Sequence, residues 1–144
     1  MKLSAPTRYA IRIIHELSQA NGQLTLGDIS ERTGISFKAV ESTTVVLRNN
    51  GVTASSSGPK GGIELQKPLS EISLGLIIGL FDGGVEFAVC CGDKSNDCPQ
   101  QNICETRQMW RGISSTIQKE LDKISLQGLI RRNPELIVPR SKSG

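Results

Sequence analysis

Two short helical segments joined by a glycine turn, with a glycine-rich hairpin directly after them, constrain the fold of this chain most strongly. Thr25 and Asp28 match a capping box, in which each side chain satisfies a free backbone N–H at the helix start. Gly34 then permits a tight turn, and Ser36 caps a second helix that ends at residues 49–51. This order is typical of a helix-turn-helix, although these residues alone fit any helical hairpin equally well.

The hairpin favours the first interpretation. Residues 52–55 and 63–65 have strand character, and residues 56–62 form a turn rich in Gly and Ser. A plain hairpin loop is the alternative. A hairpin directly after a candidate recognition helix is better explained as a wing, whose tip can enter the adjacent minor groove of DNA. We therefore predict a winged helix-turn-helix domain over residues 1–82.

The remaining elements are predicted to be helical. Ala10, Ile13, Ile14 and Leu17 form one apolar helical stripe, with Pro6 in the first turn. Further helices are expected over residues 71–80, 105–123 and 125–132, so the fold class is mainly α with a small β wing. The chain then divides into the winged-helix domain, a cysteine-rich loop (83–104), a dimerisation helix with a short terminal helix (105–132) and a flexible tail (133–144).

The long C-terminal helix carries an apolar seam. Its members repeat at intervals of 3, 4, 4 and 3 residues, as in a coiled coil: Trp110, Ile113, Ile117, Leu121 and Ile124. Packing onto the chain's own core is the alternative. A seam on a long terminal helix of a small protein more often forms an interface, so we predict a homodimer.

All four cysteines lie within residues 90–104. Six residues separate Cys91 from Cys98, and five separate Cys98 from Cys104. Zinc sites usually use closer C-x2-4-C pairs, whereas these wider gaps suit an iron–sulfur cluster, either 2Fe–2S or 4Fe–4S. A zinc site and a thiol switch remain alternatives.

The fourth ligand stays open. Cys90 has suitable chemistry, but neighbouring residues of an extended chain point to opposite sides, so a buried structural cysteine is the better interpretation. His15, the only histidine, is expected at a helix surface or interface. An aspartate or glutamate, from this chain or its partner, is the remaining option.

Composition excludes several classes of protein. No apolar stretch approaches the ~18 residues of a membrane span, and the N-terminus lacks a signal-peptide apolar region. A cytoplasmic location follows, and a reducing cytosol argues against four structural half-cystines.

Residues 1–68 carry eight Lys/Arg against five Asp/Glu, which fits a DNA backbone as partner. With no nucleophile–base constellation and no phosphate loop, an enzyme is not expected.

Several motifs together resemble the IscR-like winged-helix regulators, the Rrf-type repressor family. The similar segments are residues 1–4, 8–10, 28–32, 34–36, 47–48, 51–52, the Gly-Pro-x-Gly-Gly wing at 58–62, 71–75, the three spaced thiols and 110–111. The resemblance covers residues 1–132. Arg107 and Arg8 stand where branches of the family have a histidine and an aspartate, which leaves the fourth ligand undecided.

The resemblance implies a dimeric regulator that binds a palindromic operator in double-stranded DNA. A cluster held by Cys91, Cys98 and Cys104 would sense redox state, nitric oxide, iron or cluster supply. A thiol-switch or zinc-bound regulator is the alternative, and an adaptor controlled by a partner enzyme is a third. The candidate DNA-binding residues are Lys2, Arg8, Tyr9, Ser36, Lys38, Glu41, Ser42, Ser57, Lys60 and Gly61.

Overall fold

The computed structural model describes residues 2–88, 99–100 and 103–132, with Arg132 described by its backbone alone. Within this part of the chain the elements are α1 (Ala5–Gln19), α2 (Leu26–Thr33), α3 (Phe37–Asn49), β1 (Thr53–Ser56), β2 (Gly62–Leu65), a 3-10 turn (Leu69–Glu71), α4 (Leu74–Asp82), α5 (Glu105–Asp122) and α6 (Leu126–Arg132). The predicted fold class, mainly α with a small β wing, is confirmed. The predicted tail over 133–144 lies outside the described residues.

Local side-chain caps set the helix-turn-helix. Thr25 Oγ1 accepts from Asp28 N at 3.1 Å, and Asp28 Oδ2 accepts from Thr25 N at 3.1 Å. Gly34 ends α2 with φ of 71°, in the left-handed region that favours glycine. Ser36 Oγ accepts from Ala39 N at 3.3 Å and so caps α3. These features confirm the predicted helix starts and the predicted turn.

The core lies between α1 and α3. Ile13 and Ile14 of α1 and Val40 and Leu47 of α3 are fully buried. The remaining predicted stripe residues, Ala10 and Leu17, belong to the same apolar cluster. The 3.6-residue period of α1 therefore located its core-facing side correctly.

The wing is fastened to the helical body along one edge. β1 and β2 pair antiparallel, from Thr53 opposite Leu65 to Ser56 opposite Gly62. Leu24, which precedes α2, exchanges two backbone hydrogen bonds with Ile63, at 3.0 and 2.7 Å. The sequence placed the first strand one residue too early and the second one residue too late.

Helix α4 begins later than predicted. We expected a helix from residue 71, but Glu71 ends a 3-10 turn and Ser73 caps α4 by accepting from Leu76 N at 3.0 Å. The extended residues before α4 pair with the chain near α6, because Leu126 N donates to Ile72 O at 2.8 Å. These backbone bonds across distant residues displace the helix start.

Helices α4 and α5 approach closely at Gly75. A Cβ built there would overlap Asp122 Oδ1 and lie 2.8 Å from Asp122 N. Gln118 Nε2 donates to Gly75 O at 3.3 Å and to Asp122 Oδ1 at 2.9 Å. Only glycine allows this crossing, which joins the winged-helix part to the long helix. In the described part of the chain, no helix is long and apolar enough to cross a membrane.

Candidate functional site

The exposed surface of α3 is mostly polar, with Phe37 (53% exposed) and Val45 (38% exposed) as its large apolar members. Lys38, Glu41 and Ser42 are exposed on this helix, and Ser36, the exposed N-cap residue, directly precedes it. The opposite face is buried, with Val40 and Leu47 fully inaccessible. The helix is thus fixed to the core by one side and presents the other to a partner, as a recognition helix must.

The wing tip presents two further predicted residues. Ser57 and Lys60 are exposed. Gly61 is half-buried, and a Cβ there would overlap the carbonyl oxygen of Ser56. Its backbone N–H donates to Gly58 O at 2.9 Å. Turn geometry therefore explains Gly61 without any contact to DNA.

Side chains connect the wing to its neighbours. Arg48 Nη1 lies 3.5 Å from Ser55 Oγ, which brings the end of α3 next to β1. Ser56 Oγ donates to Gln23 Oε1 at 2.7 Å. Arg48 is not among the residues predicted to bind DNA, although a basic residue in the last turn before a wing could have indicated it. Arg48 adds an exposed cation between the two candidate DNA-binding elements.

The start of α1 presents Lys2 and Arg8 to solvent, whereas Tyr9 is half-buried and packs against the core. Asp82, at the end of α4, holds this region in place. Thr7 Oγ1 donates to Asp82 Oδ2 at 2.8 Å, and Ser4 N donates to the same oxygen at 3.3 Å. Partial burial opposes ionisation of Asp82, but the hydrogen bonds from Ser4 and Thr7 outweigh it and lower its pKa.

Among the predicted cluster ligands, Cys104 alone falls within the described residues, and Cys90, Cys91 and Cys98 lie outside them. Cys104 directly precedes α5, and its Sγ lies 3.0 Å from Thr106 Oγ1. The hydrogen bond with Thr106 and another from the Arg107 backbone N–H lower the pKa of this thiol. A thiol that ionises readily fits a thiolate ligand to iron.

Within residues 2–88, 99–100 and 103–132, no group of three His, Cys, Asp or Glu side chains is placed to hold a metal ion. His15 is half-buried on α1, and its predicted helix-surface or interface role stays a prediction. The predicted three-cysteine site therefore stays a prediction.

The start of the cysteine-rich loop is attached to α5. The ring of Phe87 stacks on Trp110, with ring centroids 6.4 Å apart and an angle of 6° between the planes. Phe87 N donates to Ser114 Oγ at 3.3 Å. Since Cys104 adjoins the first turn of α5, both described ends of the loop meet the same helix. This role of Phe87 was not predicted, because no local sequence pattern indicates a stacking partner 23 positions away.

The predicted dimer seam is incompletely covered in a single chain. Ile113 is 37% exposed, and its neighbour Met109 is 49% exposed. Trp110, Ile117, Leu121 and Ile124 are each half-buried. Part of the seam thus meets its own chain, and the remaining apolar surface has no cover within the described residues.

Comparison with known proteins gives consistent matches over most of the chain. The model of the Rrf2 family, described as iron-dependent transcriptional regulators, matches residues 3–132. The HTH-type transcriptional regulator IscR of Serratia proteamaculans (strain 568) is 36% identical over 140 residues, which are 96% of this chain and 84% of that protein. IscR of Pectobacterium atrosepticum gives the same identity and coverage.

Solved structures agree with this match. IscR from T. potens is 25% identical with a TM-score of 0.70, and the alignment covers 100% of this chain and 94% of that one. The oxidized form of Staphylococcus aureus CymR is 30% identical with a TM-score of 0.64, over 90% of this chain and 95% of the other.

Proposed function

Because this chain belongs to the Rrf2 family and is an IscR-like transcriptional regulator, we propose that it acts in the cytoplasm as a homodimer whose affinity for a palindromic operator depends on an iron–sulfur cluster. The single observation that carries the DNA-binding part is the exposed polar face of α3 beside the wing. Lys38, Glu41 and Ser42 are proposed to face base edges. Lys2, Arg8 and Lys60 are proposed to contact phosphates.

Helix α5 supports the proposal that the protein forms a homodimer. The apolar residues that remain exposed on α5, Met109 and Ile113, lie beside the half-buried members of the seam. A two-fold interface along this helix would cover both copies and place two recognition helices on one face of DNA, about one helical turn apart. This arrangement requires a palindromic operator.

The cysteine thiols support the proposal that the protein binds an iron–sulfur cluster. We assign Cys91, Cys98 and Cys104 as ligands and a non-cysteine group as the fourth. Cys104 supports the assignment, because its lowered pKa favours the thiolate that iron requires. When bound, an iron–sulfur cluster supplies a group that responds to oxidants, nitric oxide and iron supply. The protein's part is to hold the cluster and connect it to α5 through Phe87 and Cys104.

A thiol switch or a zinc-bound centre is the second candidate. The lowered pKa of Cys104 equally suits a thiol that is oxidised to a disulfide, and a structural relative, Staphylococcus aureus CymR, has been crystallised in an oxidized form. Iron and acid-labile sulfide in anaerobically purified protein separate the candidates. A switch contains neither, and a zinc site contains zinc alone.

Single cysteine variants test the ligand assignment. We expect Cys91→Ala, Cys98→Ala and Cys104→Ala to lose the visible absorption and most of the iron, because each removes one thiolate. Cys90→Ala is the matched control and should keep both. Loss at Cys90 with retention at Cys91 would reverse the assignment, and iron retained in all four variants would refute thiolate ligation.

A further inference from the structure

Phe37 is an apolar residue in an otherwise polar part of the α3 surface. It is the first residue of α3 and is 53% exposed. Ser36 and Lys38 on either side of it are exposed and polar. The chain has only three phenylalanines, so few aromatic rings are available to its core, and this one contributes little to it. A single exposed phenylalanine is ordinary on a protein surface, so its position must decide its role.

The position coincides with the part of a recognition helix that enters DNA first. In a helix-turn-helix, the N-terminal residues of the second helix contact base edges. Phe37 and Glu41 are four residues apart and therefore lie on the same helical face. Val40, three residues after Phe37, is fully buried, whereas Phe37 is 53% exposed, so Phe37 lies at the border between the buried and the exposed faces of α3. Lys38 and Arg48, exposed on the same helix, suit the negative potential of a duplex.

The chemistry selects one contact. The major groove presents donors and acceptors on every base pair, and its distinctive apolar group is the C5 methyl of thymine. A phenyl ring placed over polar base edges would remove water from them without offering a hydrogen bond. Placed over the thymine methyl, the same ring buries apolar surface against apolar surface, which is favourable. We infer that Phe37 contacts a thymine methyl in each half-site and so selects thymine at one operator position. This inference rests on the proposed DNA-binding function.

The test uses deoxyuridine, which keeps the base-pairing groups of thymine and lacks only the methyl. A duplex is selected from a random library by the full-length protein, and its thymines are replaced one position at a time. Binding is measured by fluorescence anisotropy at one fixed salt concentration. With the wild-type protein, replacement at one symmetric position should weaken binding about fourfold per methyl group. With Phe37→Ala, the thymine and deoxyuridine duplexes should bind equally at that position.

Phe37→Leu is the conservative control and should keep most of the discrimination, because its side chain also covers a methyl group. Unchanged helical circular dichroism of Phe37→Ala would show that the fold is intact. Val45 is the other exposed large apolar residue of α3. Discrimination that persists in Phe37→Ala, or that disappears in Val45→Ala instead, overturns the inference while the proposed function stands. Equal binding of both duplexes by the wild type at every thymine also overturns it. If the protein binds no duplex at all, the proposed function fails as well.

Discussion

Asp82 joins the end of α4 to the beginning of α1, although it lies 75 positions after Thr7 in the sequence. The Thr7 side chain is fully buried, so its hydroxyl depends on this acceptor and on Ser4 Oγ, 3.2 Å away. We expect Asp82→Ala to lower the free energy of unfolding by about 1–2 kcal/mol, the usual cost when a buried hydroxyl loses a partner. Urea unfolding at neutral pH measures it. The exposed carboxylate variant Glu31→Ala is the control, with a change within about 0.5 kcal/mol.

The same carboxylate gives a pH dependence. Its folded-state pKa is lowered by the Ser4 and Thr7 hydrogen bonds, which outweigh its partial burial. A lowered pKa contributes stability above the ordinary carboxyl value, and this stability is lost as the pH falls through the folded-state pKa. Between about pH 5 and pH 2, wild type should therefore lose more stability than Asp82→Asn. Parallel losses in the two proteins would show that the Asp82 charge does not stabilise the fold.

For individual residues, the sequence predicts side-chain contacts between near neighbours and does not predict contacts between residues far apart in the chain. The Thr25–Asp28 box and the Ser36 cap involve residues three apart, so their spacing was enough to place them. The Asp82 contact with Thr7 and the stacking of Phe87 on Trp110 depend on how helices pack. No local pattern encodes such pairs. Cys91 and Cys98 are a separate case, because they lie outside the described residues and their assignment as ligands rests on spacing and family resemblance.

Among the elements, the α4–α5 crossing depends on one glycine. Gly75→Ala would place a methyl group onto Asp122, whereas a Cβ at Gly79 of the same helix has nothing within 4 Å. We expect Gly75→Ala to lower the Tm. The added methyl group would either push α5 away from α4 or strain the contact with Asp122, and both destabilise the folded protein. Gly79→Ala should raise it slightly, since alanine favours a helix by about 0.5–1 kcal/mol. Equal thermal unfolding midpoints for the two variants would contradict the close crossing.

A charged substitution in the apolar seam of α5 tests whether this seam forms the dimer interface. Ile117→Glu should produce monomers, because a buried unpaired carboxylate in an apolar interface costs several kcal/mol. Ser115→Glu, at an exposed position of the same helix, is the matched control and should remain dimeric. Analytical ultracentrifugation measures both. A surviving Ile117→Glu dimer would place the interface elsewhere.

Element boundaries show where periodicity stops being informative. The long α5 and the stripe of α1 were predicted closely, because each repeats over several turns. The start of α4 was wrong because Ile72 and Ser73 pair with the backbone near α6 instead of continuing a helix. That bridge joins residues far apart in sequence, so no local pattern indicates it. The apolar composition of residues 71–80 fits a helix that begins at residue 71 as well as one that begins at Leu74.

In the whole molecule, the segment from Asp82 to Phe87 connects three parts. Asp82 binds the start of α1, Phe87 packs on α5, and the first cysteine, Cys90, lies three positions after Phe87 in the sequence. A change in the loop therefore has a short physical route both to the N-terminal region with Lys2 and Arg8 and to the proposed dimer helix. Coupling between a cluster and DNA requires that both sites bias the same structural element, and this segment is the candidate.

Cluster-dependent DNA binding is tested by measuring operator affinity with and without the cluster. Anaerobically purified protein, and the same preparation after removal of iron by a chelator, are titrated against one selected duplex at several salt concentrations. We predict a change in affinity of at least about tenfold between the two forms, in the usual range for coupled sites. In the binding form, log affinity should fall linearly with log salt. Equal affinities in both forms, or an absence of iron in the purified protein, would contradict the central claim.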